Sequence, residues 1–363
     1  MGVYSLASRD RRSNACGNGP GTLLPKPFPS SRLSLIGRDG MDLDRRLPSM
    51  PRYNRFIPEG GALVEITDRT IQARFLLVPS AELNDIFLGV LGRAQRLYKV
   101  PICGCVCMST HFHLLGWFED AFQLSTFMGY FASNLAREVA RLTGWTDKIW
   151  ARRYQAIVIS EEEAAQTARF EYLLAHGVKE NLVEFLSQWP GVHCIRALLA
   201  DEPLVGTWFD RTQESCARKR GEEIAPRQFA TQETVTLTPL PCWAHLSEKQ
   251  VRERVAAIAQ RIEENAAQER QATGSAVLGA AAVLAQKPVD RPSRPKKSPA
   301  PLFHAFTRRV RRELYEAYHL FLAAFRDAAE KLRAGDRNVA FPLGSFPPGL
   351  PFVRALPPLA ASG

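Results

Sequence analysis

Val100-Pro-Ile-Cys-Gly-Cys-Val-Cys-Met108, then Ser109-Thr110, then His111-Phe-His-Leu-Leu-Gly-Trp-Phe118: the reading of this stretch decides the fold. The first run alternates with a period of two, which puts Cys103, Cys105 and Cys107 on one face of a strand and Ile102, Val106 and Met108 on the other. A short polar break and a second apolar run follow, the pattern of a β-hairpin. On that second strand His111 and His113 project from one face, while Phe112 is directed to the other.

Upstream, Ala62 to Thr67 alternates apolar and polar residues and reads as a strand. After Pro79-Ser80 a helix is expected, with Leu83, Ile86, Phe87, Val90, Leu91 and Ala94 at helical spacing and an end near Leu97. Downstream, Leu124, Phe127, Met128, Phe131, Leu135 and Val139 mark a second helix that Gly144 terminates. Tyr154 to Ile159 is a further strand. Ser160, with Glu163 at the capping-box position, opens a helix carrying Ala168, Tyr172, Leu173 and Ala175, which ends near Gly177. The order β-α-β-β-α-β-α predicts an α+β fold, a ferredoxin-like antiparallel sheet with packed helices, followed by a helical C-terminal extension.

The expected organisation has six segments. Residues 1–50 mix Ser, Gly, Pro and Arg without periodicity and read as a disordered arm or an over-long start. Residues 51–200 form the α+β domain and 201–287 a helical extension, including a charged helix from Leu246 to Gln271. Residues 288–301 are a basic, Pro-rich linker. Residues 302–335 hold an amphipathic helix with Leu314, Tyr318, Phe321, Leu322 and Phe325 on one side, and 336–363 a Pro-rich tail.

The chain carries 47 Lys and Arg against 37 Asp and Glu, a formal charge of +10. That excess favours polyanionic partners through counterion release. The seven cysteines include no CxxC pair, which argues against a four-cysteine zinc site or a disulfide framework and for a reducing cytoplasm. The alternating cysteines read as small core hydrophobes. The charged N-terminus is unlike a signal peptide, and the aliphatic run from Ala276 to Ala285 is too short to span a bilayer.

Two imidazoles on one strand face suit a divalent metal, although such a pair also arises by chance or through ordinary hydrogen bonding. Tyr172 and His176, four residues apart, stack on one helical face, and a helix packed on the sheet would bring them over His111 and His113. Three imidazoles would then form an open metal site beside a phenol. The plainer alternative makes Tyr172 an amphipathic core residue and His176 a helix-end hydrogen-bonding group.

The ordered set comprises the strand, the break, His111-Phe-His-Leu-Leu, a helix, Trp150-Ala-Arg-Arg-Tyr154, and Tyr172-Leu-Leu-Ala-His-Gly-Val-Lys-Glu-Asn-Leu-Val183. It resembles the single-tyrosine HUH transposases, and within them the REP-associated tyrosine transposases, over about Arg52 to Val183. The resemblance implies that His111 and His113 are the metal-binding pair, Tyr172 the nucleophile and His176 the third ligand. Many relatives have Asn-Pro where this chain has His176-Gly177, and Ser109-Thr110 replaces a commoner Pro-Asn.

It further implies cleavage and rejoining of single-stranded or hairpin DNA through a 5′-phosphotyrosine, with Mg²⁺ or Mn²⁺, in a bacterial cytoplasm and associated with the nucleoid. Lys148, Trp150, Arg152, Arg153 and Tyr154 offer cations and aromatics for a single strand, as does Lys179. Eight basic residues and no acidic one lie from Arg291 to Arg312, namely Arg291, Arg294, Lys296, Lys297, Arg308, Arg309, Arg311 and Arg312, a candidate DNA-tracking segment. A homodimer is left open, and with it whether Tyr172 serves its own histidines. Two rivals stand: a catalytically inactive nucleic-acid-binding protein, motivated by the His176-Gly177 departure, and a zinc hydrolase built on His111 and His113.

Overall fold

A computed structural model describes residues 54–346 apart from 226 and 294–300. The expectations for residues 1–50, for Arg294, Lys296 and Lys297 of the basic segment, and for the end of the tail lie outside the described residues. In chain order the first elements are β1 (Ala62–Arg69), α1 (Ala81–Tyr98), β2 (Ile102–Met108), β3 (His111–Phe118), α2 (Ala121–Thr143), β4 (Gln155–Ile159) and α3 (Glu163–Leu174). Then follow α4 (Ile195–Ala200), β5 (Leu204–Phe209), α5 (Arg211–Lys219), β6 (Ala230–Val235), α6 (Glu248–Thr273), α7 (Ala280–Leu284), β7 (Phe303–His304) and α8 (Arg308–Arg333).

The main sheet has the order β2-β3-β1-β4-β7, and each of its first four strands is antiparallel to its neighbours among them. The α+β architecture expected from the periodicities is the one observed: a ββ-hairpin, a central β1, and helices laid on the faces. The caps are those the sequence signals. Ser80 caps α1 by accepting from Leu83 N–H, and Gly144 ends α2 in the left-handed conformation at φ 67°.

Three local expectations are corrected. A bulge between Ile102 and Gly104 interrupts the alternation, so Ile102 pairs with Gly116 and shares the face of Leu114 and Phe112 rather than opposing Cys105 and Cys107. Ser160 does not cap α3: its hydroxyl donates to Glu162, which occupies the cap position without a side-chain capping bond. The Glu162 carboxylate instead accepts from the backbone N–H groups of Phe306 and Thr307, at 2.8 and 3.1 Å. The third correction is that α3 ends at Leu174, so His176 lies just beyond it, although Ala175 keeps the right-handed helical path.

One face of the sheet is the apolar core. Phe112 is fully buried there, with ring centroids 6.0 Å from Phe87 on α1, 5.3 Å from Phe131 on α2 and 5.5 Å from Trp150. The antiparallel β5–β6 pair covers α1 from outside and approaches it closely: a Cβ on Gly89 would meet the Thr207 backbone at 2.1 Å, and one on Gly206 the Asp85 carbonyl oxygen at 2.2 Å. Both edges of the four-stranded sheet are partly covered by later segments of the chain. β7 pairs in parallel with β4. On the β2 edge, Cys107 N–H donates to Val192 O, Cys194 N–H to Cys105 O and Thr238 N–H to Ile102 O, at 2.9, 3.0 and 2.8 Å. Over the paired residues these edges are shielded from pairing with another chain. Among the described residues no helix is long and apolar enough to cross a membrane.

Candidate metal and nucleophile site

Register fixes which side chains share the second face. In the β1–β3 pair, Arg69 lies opposite His111, Thr67 opposite His113 and Glu65 opposite Leu115. Period-two alternation therefore sets Glu65, Thr67, Arg69, His111 and His113 on one side of the sheet. α3 lies over that side. It brings His176 to ring-centroid distances of 5.8 Å from His111 and 4.0 Å from His113. The Tyr172 ring stands 4.8 Å from His176 and 5.9 Å from His113. One ligand nitrogen from each of His111, His113 and His176 can be chosen so that all lie within 4.8 Å of one another. Three residues picked from sequence spacing thus converge, with Tyr172 beside them, inside a single chain.

The hydrogen bonds around the rings suit metal binding. His113 Nδ1 is 2.8 Å from Glu65 Oε1, and Thr67 Oγ1 is 3.0 Å from the same nitrogen. His176 Nδ1 donates to Leu173 O at 3.2 Å, and Thr110 Oγ1 lies 2.9 Å from His111 Nδ1. Each Nδ1 is occupied by protein and none of these bonds uses Nε2, which is how metal-bound imidazoles are oriented by their surroundings. Burial pushes all three rings toward the neutral form that ligates. It drives His113 down to about 3, with the Arg69 guanidinium assisting. His111 is held well below the ordinary imidazole range by burial, then by His113, His176 and Arg69; His176 by burial and His113. A divalent cation fits this donor set.

Several neighbours escaped the sequence reading. Glu65, buried under the sheet face, binds His113 with one oxygen and pairs with the Arg169 guanidinium through the other. The Arg169 guanidinium lies 4.4 Å from the Tyr172 ring centroid and the Lys179 ammonium 5.3 Å. An acid in an alternating strand is normally assigned to solvent, so only the register of β1 against β3 could have exposed Glu65. Arg169 was visible as a residue one turn before Tyr172.

The expected strand-binding residues divide into two groups. Trp150 is turned inward: its Nε1–H donates to Ala132 O at 2.9 Å and its ring packs on Phe112. Tyr154 is half-buried under the Arg55 guanidinium, 4.4 Å from its ring centroid. Lys148, Arg152, Arg153 and Lys179 are exposed. Arg308, Arg309, Arg311 and Arg312 form the exposed first turn of α8, capped by Thr307. Arg309 pairs with Glu313, Arg312 with Glu316, and Arg311 donates to Ala305 O. The β7–β4 pairing sets this basic turn near α3. There, burial and the charges of Arg169 and Arg311 depress the His304 imidazole to about 4.

No protein-family model matches the sequence, and a search of curated proteins gives no match. Among solved structures, the chain is similar to a REP-associated tyrosine transposase bound to a REP hairpin, at 17% identity and a TM-score of 0.34. That likeness covers 43% of this chain and 90% of the other. It is also similar to a candidate transposase of Deinococcus radiodurans, at 16% identity and a TM-score of 0.25, over 34% of this chain and 98% of the other. Neither likeness reaches the level at which an activity transfers.

Proposed function

We propose that the chain is a metal-dependent, single-tyrosine DNA strand transferase that cuts and rejoins single-stranded, hairpin-associated DNA. The observation that carries this reading is the convergence of His111, His113 and His176 with the Tyr172 ring, 4.8 Å from His176, within one chain. A Mg²⁺ or Mn²⁺ ion held by these imidazoles would withdraw charge from the phosphate oxygens and stabilise the leaving oxygen. His113 and His176, with Nδ1 bound to Glu65 and Leu173, keep their other nitrogens as ligands.

Tyr172 supplies the nucleophile. Its phenolic oxygen attacks phosphorus, the bond from phosphorus to the 3′-oxygen breaks, and the departing oxygen takes up a proton as a 3′-hydroxyl. The phenolic proton leaves to solvent, and the DNA 5′-phosphate stays on the tyrosine. Because the ester energy is retained, a second 3′-hydroxyl can reverse the step without a nucleotide cofactor. Lys179, beside the Tyr172 ring, is assigned to pair with the phosphodiester, and Arg169, held by Glu65, adds positive charge on the other contact to that ring. Lys148, Arg152, Arg153 and the α8 turn of Arg308, Arg309, Arg311 and Arg312 are assigned to the DNA backbone.

The test is a denaturing gel of purified protein with end-labelled, hairpin-flanked single strands and Mn²⁺. The parent is expected to give a covalent adduct, and Tyr172→Phe none, with hairpin binding nearly intact. Cleavage by Tyr172→Phe at the parent's level would end the nucleophile assignment. Binding without adduct from the parent would favour a scaffold that retains DNA binding alone.

A further inference from the structure

Glu65 is an acid in a place where the fold has no use for one. Its β1 neighbours Leu63, Val64 and Ile66 are fully buried, and Glu65 itself is 1% exposed. A carboxylate withdrawn from water to that extent is costly unless charges and hydrogen bonds compensate it. Here both oxygens are engaged, and they reach to different parts of the site. Oε1 is 2.8 Å from His113 Nδ1 on β3, and Oε2 pairs with the guanidinium of Arg169 on α3. Arg169 lies three residues before Tyr172, and its guanidinium stands 4.4 Å from that ring's centroid. One carboxylate therefore joins the sheet that carries the histidine pair to the helix that carries the phenol.

We propose that Glu65 is a positioning residue that sets the spacing between the metal-binding imidazoles and the nucleophile. Through Oε1 it holds His113 in the Nδ1–H tautomer, with Nε2 left as the ligand atom. Through Oε2 it anchors Arg169, whose planar guanidinium supports one side of the Tyr172 ring. The inference rests on the roles given above to His113 and Tyr172, and it adds a device that neither role requires. A merely structural Glu65 would affect folding stability without separating metal binding from bond making.

Two substitutions separate the two arms. Glu65→Gln is isosteric: its amide oxygen can still accept from His113 Nδ1–H, but its NH₂ group then faces the Arg169 guanidinium and cannot pair with it. Glu65→Ala removes both contacts and leaves His113 Nδ1 with Thr67 Oγ1 alone, 3.0 Å away, a hydroxyl that can donate to the ring nitrogen as readily as accept from it and so fixes neither tautomer. ¹⁵N NMR of the metal-free protein reads the His113 tautomer, a Mn²⁺ titration reads affinity without catalysis, and adduct formation at saturating Mn²⁺ reads alignment of Tyr172.

Glu65→Gln is expected to keep the Nδ1–H tautomer and Mn²⁺ affinity within about threefold, whereas Glu65→Ala loses the tautomer and binds Mn²⁺ about 10- to 100-fold more weakly. Adduct formation by Glu65→Gln should fall by about tenfold or more even when metal is saturating. If Glu65→Ala does not fold, Glu65→Asp, one methylene short of His113, takes its place with the same expectation. Parent-like tautomer and Mn²⁺ affinity in the Ala or Asp variant, or a parent-like adduct rate in Glu65→Gln, overturns the proposal. A parent that binds Mn²⁺ but never forms an adduct instead refutes the strand-transfer reading, and the tautomer and affinity arms then decide the role of Glu65.

Discussion

His193 gives the sharpest quantitative prediction, because it sits behind the end of α3 and its proton can be counted. Its Nε2–H donates to Leu174 O at 3.1 Å, two residues past Tyr172, and its Nδ1 accepts from Ile195 N–H at 3.1 Å. A neutral ring satisfies both bonds; a protonated one cannot accept at Nδ1. Burial, its largest influence, lowers the imidazole from 6.5 to about 4. The folded pKa lies below the unfolded one, so the unfolded chain takes up the proton first. The stability from this group is complete above pH 6.5 and is lost as pH falls toward 4. At pH 5 the unfolded imidazole is 1.5 units below its pKa and the folded one is still mostly neutral. At about 1.4 kcal/mol per unit this costs about 2 kcal/mol between pH 8 and pH 5. The measurement is urea unfolding of parent and His193→Gln in chelator at both pH values. The glutamine should cost about 1–2 kcal/mol at pH 8 through poorer hydrogen bonding, and the deficit should vanish or reverse at pH 5. A deficit equal at both pH values, within about 0.5 kcal/mol, would refute the assigned neutral state.

Two further outcomes are expected. Tyr172→Phe and His113→Ala proteins, mixed, should form no adduct, because each Tyr172 faces the histidines of its own chain with 5.9 Å between its ring and that of His113. Recovered adduct on the same denaturing gel would mean that α3 serves a second copy. Asp68→Asn should stabilise the protein relative to the parent more at pH 9 than at pH 6. Burial pushes the Asp68 carboxyl up to about 8, against the opposing Arg69 N–H and Arg152 charge. Its folded pKa is raised, so its stability is complete below pH 3.8 and is lost as pH rises through 8, a loss that asparagine does not share. Thermal melts at the two pH values check it.

Much of the site was legible in order of sequence. The alternation through Val106 and Met108 into His111-Phe112-His113 gave a strand face with two imidazoles, and the four-residue step from Tyr172 to His176 gave a stacked pair. These readings work because side-chain direction within a strand or helix is set by local backbone sterics. Glu65 was illegible because its burial depends on α3 and Arg169, about a hundred positions downstream. Trp150, an aromatic among cations, fits a base-stacking surface as well as a core until Phe112 is seen against it. The two-residue β7 has no periodicity to detect, and the packing of the β5–β6 pair on α1 depends on Gly89 and Gly206 permitting backbone contact.

The sequence alone therefore determined the period and the order of the elements: a hairpin carrying paired histidines, and a later helix carrying a phenol, with a third imidazole just past its end. Only the tertiary structure decided that these groups meet, that Glu65 ties one to the other, and that later segments of the chain partly cover the edges of its sheet. The reason is physical. Periodicity is a property of neighbouring residues, whereas convergence of positions 65, 113 and 172 is set by how whole layers pack, and many sequences share the first without the second.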